Sequence, residues 1–454
     1  MKRLTPIATA VMALLSAPGA NAATPLHPAD VQITTDPAVT VKVTRRKTNT
    51  STQITITLNP QDKITVGTWP PPVVLPPPVT AWVRTAGEGE ALTVTGSVRY
   101  GDGQRWATKT VTGPMNCNNN DFGGDPAPGA LKSCEVQMTV PGVIQIDGAM
   151  PVVNMALIPK PATPFTDPRV RTLSASELAN TGVYQPAPTN VGAFRVSCPY
   201  SHMAKDDPIV YPGQPGISHL HVFSGNSLTD ANSTADSLLN TGGSTCAGGT
   251  LNRTAYWMPA LIDTRTGQPV MPAGTNFYYK LGYLGVKAGT VQPFPQGLRM
   301  IAGSSSSTAT NPVSTYATGF ECATGGRQNG IRSCAIGDSL NAAVVFPQCW
   351  DGKNLDSPDH KSHMAYATGS GCPSTHPVPL PEITLNVHYA VTEANTADFW
   401  KLSSDMYSGQ GGFSLHADWF DGWDRPTLQA FITNCINANM DCHNHLLGDG
   451  RTLY

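Results

Sequence analysis

Residues 413–420 read Phe-Ser-Leu-His-Ala-Asp-Trp-Phe, and their alternation is that of a half-buried strand. Successive side chains of a strand point to opposite faces. Leu415, Ala417 and Trp419 therefore take one face, while His416 and Asp418 share the other. Two further segments repeat the design. In Ser-His-Leu-His-Val-Phe (218–223) the same period sets His219 and His221 against Leu220 and Val222. In Ile-Thr-Leu-Asn-Val-His-Tyr-Ala (383–390), Ile383, Leu385, Val387 and Tyr389 face a core and leave His388 with Thr384 and Asn386. Each histidine is expected on the polar face of an apolar strand, and one cleft would collect all three faces.

Outward from these segments the chain reads as mainly β. Val39, Val41 and Val43 alternate with polar residues, as do Ile54, Ile56 and Leu58, and similar runs cover Leu92 to Tyr100 and Glu135 to Val140. Residues 23–160 are expected to form a β-sandwich-like accessory domain, interrupted by the stiff polyproline stretch Trp69 to Pro78. Residues 161–190 read as a linker with a helical turn near Ala175 to Leu178. Residues 191–454 read as a β-rich, loop-rich, disulfide-bonded domain with few short helices. Ten of the eleven histidines lie beyond Val191. One helix is signalled late, where Asp424 caps, Pro426 sits in the first turn, and Leu428, Phe431, Ile432 and Cys435 share a face.

Only 13% of the residues are charged, and 43 glycines with 40 prolines favour short strands and many turns. A net charge of −2 offers no basic field for nucleic acid or anionic lipid. The first 22 residues predict a cleavable export signal. Lys2 and Arg3 precede a short apolar run, and Ala20-Asn21-Ala22 supplies the small residues of a cleavage site. No later stretch has transmembrane length. The expected location is secreted, extracellular or periplasmic. The ten cysteines then suit disulfides. Sequence does not prove their connectivity, but local pairing gives Cys117–Cys134, Cys198–Cys246, Cys322–Cys334, Cys349–Cys372 and Cys435–Cys442. No Cys-x-x-Cys favours zinc instead.

With the cysteines oxidised and no Gly-x-Ser-x-Gly present, histidine and carboxylate carry the candidate chemistry. The expected site comprises His219, His221, His388, His416 and Asp418. Neutral imidazoles can bind one divalent metal ion, here through His219, His221 and His416, with a carboxylate completing the set. Equally, His416 can act as a general base oriented by Asp418, or by Asp405. Hydrogen-bonded structural histidines are the competing reading. His360 and His363 are undecided between ligand and loop. The Cys442-His443-Asn444-His445 run reads as a solvated loop, and Asp206-Asp207 as a turn cap rather than a cation site. Trp257, Trp350 and Trp419 are candidate sugar-stacking surfaces, with core packing as the alternative. A copper centre of the histidine-brace type needs an N-terminal histidine, and the expected mature N-terminus is Ala23.

Several ordered blocks carry a family resemblance. They run from Asp206-Asp207-Pro208-Ile209-Val210-Tyr211-Pro212-Gly213 through Ser218-His219-Leu220-His221 and Leu251-Asn252-Arg253-Thr254-Ala255-Tyr256-Trp257-Met258-Pro259. Pro347-Gln348-Cys349-Trp350-Asp351-Gly352, Ser362-His363-Met364-Ala365-Tyr366, Leu415-His416-Ala417-Asp418-Trp419 and Gly422-Trp423 follow. In these blocks the chain resembles the secreted domain family of unknown function DUF1996, over about residues 194–454. The resemblance implies a polysaccharide or cell-wall setting by association and assigns no catalytic roles. The expectation is a secreted carbohydrate-active protein, a polysaccharide hydrolase or lyase using the His/Asp cluster. The alternative is a non-catalytic envelope or polysaccharide-binding protein, with a structural metal or none.

Overall fold

The computed structural model describes residues 42–47, 52–57, 76–146, 148–180, 191–406 and 409–454. The export signal, the polyproline residues 69–75 and the linker residues 181–190 lie outside the described residues. The chain divides into two units, Met1–Val74 and Leu75–Tyr454. In the first, Lys42–Lys47 and Thr52–Thr57 pair as an antiparallel hairpin, as the alternation of Val43, Ile54 and Ile56 predicts.

The second unit is mainly β. It begins with one four-stranded antiparallel sheet of Val79–Gly87, Ser133–Val140, Ala91–Asp102 and Arg105–Asn116 in that spatial order. Val98, Tyr100, Met115 and the Cys117–Cys134 disulfide form a core on it. Hydrogen bonds cross the boundary expected near residue 160. Gln268 Nε2 donates to the Trp82 carbonyl at 2.6 Å, and Gln104 Nε2 to that of Val391 at 2.9 Å. Residues 161–172, expected to be linker, are tied down as well. Phe165 and Ser244 exchange backbone hydrogen bonds, and Val170–Thr172 pairs with Arg451–Leu453. The short helix Ala175–Asn180 follows where a helical turn is predicted.

Beyond residue 191 two sheets share one core. The five-stranded sheet runs Arg299–Gly303, His416–Phe420, Ala255–Pro259, His221–Gly225 and Tyr200–Ala204, antiparallel throughout. The six-stranded sheet runs Thr318–Glu321, Ser339–Val345, Glu382–Ala390, Gly274–Lys280, Ala193–Val196 and Asp441–Asn444, with only the last pairing parallel. Alternation sends Val222, Tyr256, Met258, Met300, Ala417 and Trp419 of the first sheet inward. There they share a core with Phe194, Phe277, Tyr279, Leu385, Val387 and Tyr389 of the second.

One hydroxyl bridges the two sheets through this core. Tyr279 Oη, from the six-stranded sheet, accepts from Trp419 Nε1 at 3.2 Å and from Trp423 Nε1 at 3.0 Å. Tyr256 Oη lies 2.6 Å away. Two indole donors occupy both lone pairs of Tyr279, so its own proton goes to Tyr256. All four side chains are buried.

The remaining structure seals the edges. The five disulfides have the expected pairing, and no described cysteine is free. In the helix Arg425–Phe431, the Asp424 carboxylate accepts from Thr427 N at 3.0 Å, Pro426 opens the first turn, and Leu428 and Phe431 are buried. Phe431 stacks on Phe194 at 4.3 Å. No helix among the described residues is long and apolar enough to cross a membrane.

Replacing Tyr279 by Phe leaves two buried indole N–H groups without an acceptor. Each such group costs about 1–3 kcal/mol, so Tyr279→Phe should lower stability by on the order of 3 kcal/mol. A lower urea midpoint at unchanged m-value checks it.

Candidate functional site

The outer face of the five-stranded sheet carries the chemistry. In the strand His416–Phe420, the residues that alternate with buried Ala417 and Trp419 are His416, Asp418 and Phe420. Register extends that face sideways, because Asp418 lies opposite Trp257 on one side and Ile301 on the other. Trp257 in turn lies opposite Phe223, two residues from His221. Trp257, Phe223, Ile301 and Phe420 form a second, smaller core with Ile209 and Leu238, which lie beyond the sheet. A dry apolar layer thus borders the polar groups.

His221 is the first residue of its strand, and His219 precedes it in the loop. The two rings still meet, with centroids 4.2 Å apart, and His416 lies 5.1 Å from His219 and 6.1 Å from His221. His219, His221 and His416 each offer a ring nitrogen, all within 4.8 Å of one another. Two of the rings are set by the backbone. His221 Nδ1 lies 2.9 Å from the Asp206 carbonyl, and His416 Nδ1 lies 2.8 Å from the Ser414 carbonyl. A carbonyl only accepts, so both Nδ1 atoms carry the proton and both Nε2 atoms keep their lone pair. Carbonyls that fix tautomer in this way are typical partners of metal-ligating histidines. Nε2 of His221 and of His219 is buried and makes no hydrogen bond.

Burial also keeps the rings neutral. It pushes His221 down to about 4, and His416 to about 4 with help from the neighbouring His221. His219 is driven further down by burial and by both other imidazoles. Ser414, which orients His416, is itself held by Asp405. The Asp405 carboxylate accepts from Ser414 Oγ at 2.5 Å, from Gly412 N at 2.7 Å and from Leu402 N at 2.9 Å. Asp405 thus acts on His416 through the backbone of Ser414 and does not touch its ring nitrogen.

Two carboxylates complete the cluster. Asp418 is 1% exposed, and neither of its oxygens has a hydrogen-bonding partner among the described residues. Burial and the nearby Asp207 raise it well above the ordinary carboxylate range. Asp207 is also buried, and its Oδ1 accepts from Ile209 N and Val210 N, both at 2.9 Å. Asp207, His221 and Asp418 offer ligand atoms within 4.8 Å of one another, so His221 is common to both trios. Asp207 therefore caps a turn, as its sequence suggests, and also faces the site, which the turn reading hid. A third grouping of Cys322, Cys334 and Asp338 is no rival, because its two sulfurs are bonded to each other.

The structure leaves other expected residues elsewhere. His388 does lie opposite Val387 and Tyr389, but on the six-stranded sheet. The two sheets share their inner faces, so its outer face points away from the cluster, and its acidic neighbour is Glu321. Trp257 and Trp419 are 1% and 0% exposed and are core residues with no ring face open to a sugar. Trp350 is half-buried, with its Nε1 bonded to the Asn354 carbonyl at 2.6 Å. His363 bonds Ser357 Oγ and the Arg299 carbonyl and is structural. His443 is exposed, and His445 accepts from Ser197 N.

Residues 207–423 match the family described as a domain of unknown function, DUF1996. The matched span begins at Asp207 and contains all five residues of the cluster. No solved structure matches the chain.

A buried carboxylate without a partner destabilises the fold unless a cation or a proton neutralises it. In chelated protein, Asp418→Asn should therefore raise stability, by on the order of 1–4 kcal/mol at neutral pH. Because folding raises the Asp418 pKa, the wild-type penalty is full above the folded value. It fades as pH falls through the folded value and is gone below the ordinary 3.8, where both states are protonated. The gain from Asp418→Asn should fade over the same window, which denaturant titrations at several pH values would reveal.

Proposed function

Taking residues 207–423 as a DUF1996 domain, we propose that the chain is a secreted, carbohydrate-active protein whose histidine cluster holds one divalent metal ion. In this reading the domain is a polysaccharide hydrolase or lyase. One observation carries the metal assignment: neutral imidazoles converge with free Nε2 atoms beside a buried carboxylate that has no partner among the described residues. One doubly charged ion balances Asp207 and Asp418, whereas two ions would leave an excess of positive charge in a dry site. His221, with a single free ring nitrogen, can serve only one ion. Three imidazoles with carboxylate suit zinc or a neighbouring first-row metal.

Such an ion polarises a bound oxygen and lowers the pKa of bound water toward about 7. The protein's own part is to fix the ligands. Backbone carbonyls orient His221 and His416, Asp405 holds Ser414, and the apolar layer of Trp257, Ile301 and Phe420 excludes water from the sheet side. His219 is the least buried of the three imidazoles and marks the open side. Export is supported by the N-terminal signal pattern and by five disulfides, which form in oxidising compartments.

The burial of His221, His416 and Asp418 favours a second reading, in which the ion is structural and the protein only binds envelope polysaccharide. Elemental analysis with a polysaccharide panel separates the two, scoring both reducing ends and unsaturated products. The catalytic reading expects about one ion per chain, product release by wild type, and loss of ion and product together in His221→Ala and His416→Ala. An ion-loaded protein that releases nothing leaves the structural reading standing. Folded variants that retain wild-type ion content and activity would sink the site.

A further inference from the structure

Lys361 stands beside this centre without being one of its ligands. Its Nζ donates to the Gly303 carbonyl at 2.6 Å, and Gly303 lies directly opposite His416 on the edge strand. Gly303 has φ +84°, and a Cβ there would sit 2.4 Å from the Leu415 carbonyl oxygen and 2.7 Å from His416 Cα. Only glycine allows the edge strand to approach the His416 strand this closely. The ammonium is therefore placed at the lip of the cluster. Its charge is felt by Asp418, Asp359 and His416, yet its Nζ makes no contact ion pair with a carboxylate among the described residues.

The loop carrying Lys361 is built to hold it there. Asp359 Oδ1 accepts from Lys361 N at 3.2 Å, Ser362 N at 2.9 Å, and Ser357 Oγ and Ser362 Oγ at 2.8 Å each. Asp356 pairs with Arg299 at 3.3 Å and with His360 Nδ1 at 3.0 Å, while His363 Nε2 bonds the Arg299 carbonyl at 2.7 Å. Residues 356–363 are thus pinned to the edge strand at several points. Lys361 itself is exposed, and two of its three protons remain free to donate.

Charge then selects the ligand. A divalent ion is balanced by Asp207 and Asp418. The nearby Asp359 turns its Oδ1 to Lys361 N, Ser362 N and two serine hydroxyls rather than to Nζ, so the Lys361 ammonium has no contact counter-ion among the described residues. A group reaching the His416 side of the cluster would meet the metal ion and, beside it, an ammonium without a contact counter-ion. We propose that this lip is the recognition site for a singly charged acidic sugar, a uronate or a sulfate ester, with one anionic oxygen toward the ion and another on Lys361 Nζ. A phosphate monoester, with nearly two charges, matches a single ammonium less well. The proposal rests on the metal reading and names its substrate class.

The test uses the full mature protein loaded with zinc. Binding of tri-galacturonate, a sulfated trisaccharide and a neutral trisaccharide is measured by calorimetry, with zinc content determined on the same samples. Wild type should bind at least one acidic ligand and ignore the neutral one, and the two acidic arms tell uronate from sulfate. Lys361→Gln keeps a donor for the Gly303 carbonyl but removes the charge. It should retain its zinc and bind the acidic ligand at least about tenfold more weakly, with a flatter salt dependence. Equal affinity in Lys361→Gln, or equal binding of the neutral sugar, overturns the proposal. A protein that holds no zinc removes the metal reading and this inference with it. A zinc-loaded protein that ignores both acidic ligands removes this inference alone.

Discussion

The hydroxyl of Tyr279 is where the two sheets are held in register. It receives both indole N–H groups, Trp419 and Trp423, and gives its proton to Tyr256, deep in a core that is otherwise apolar. Trp419 belongs to the strand that carries His416 and Asp418, and Tyr256 to the neighbouring strand that carries Trp257. Fixing the inner face of these strands fixes the outer face as well, since a strand cannot turn one row of side chains without the other. The position of the candidate centre is in this sense set from the opposite side of the sheet.

The outer face reverses the usual economy of a sandwich. A solvated sheet face normally exposes its polar row to water. Here the segment around Ile209 and Leu238 covers part of that row, and His221, His416 and Asp418 are buried with Phe223, Trp257 and Phe420. Burying neutral imidazoles is tolerable because backbone carbonyls take their protons. Burying Asp418 is costly, and no side-chain donor among the described residues offsets it. An isolated, dry carboxylate beside free imidazole nitrogens calls for a proton or a cation to neutralise it.

Much of the fold was legible in short-range pattern. Alternation placed Ile383, Leu385, Val387 and Tyr389 inward, capping signals placed the helix at Asp424, and local pairing recovered the disulfides. The site was only partly legible, because its assembly is non-local. Period-2 reasoning says which face of a strand His388 occupies, yet not which sheet the strand joins, and that alone sends it away from the cluster. His219 joins from a loop rather than a strand, so its pairing with His221 is owed to chain reversal and not to pleat. Asp207 was hidden by a valid local explanation, since one oxygen caps a turn while the carboxylate also faces His221. Trp257 and Trp419 offer no sugar platform for the same reason that they succeed as structure: large rings on central strands are the first to be enclosed.

These particulars separate two kinds of buried polar group in one domain. The Tyr256, Tyr279, Trp419 and Trp423 set is closed, because its principal donors and acceptors meet one another and nothing is left to recognise a ligand. The cluster at His219, His221 and Asp418 is open in the same bookkeeping: acceptors outnumber donors, and Asp418 has no hydrogen-bonding partner among the described residues. Trp257 Nε1, on the same face and opposite Asp418, is a buried donor that is likewise unused. A closed network can only hold the fold together. An unsatisfied one at matching depth carries a desolvation cost that a bound proton or cation would relieve.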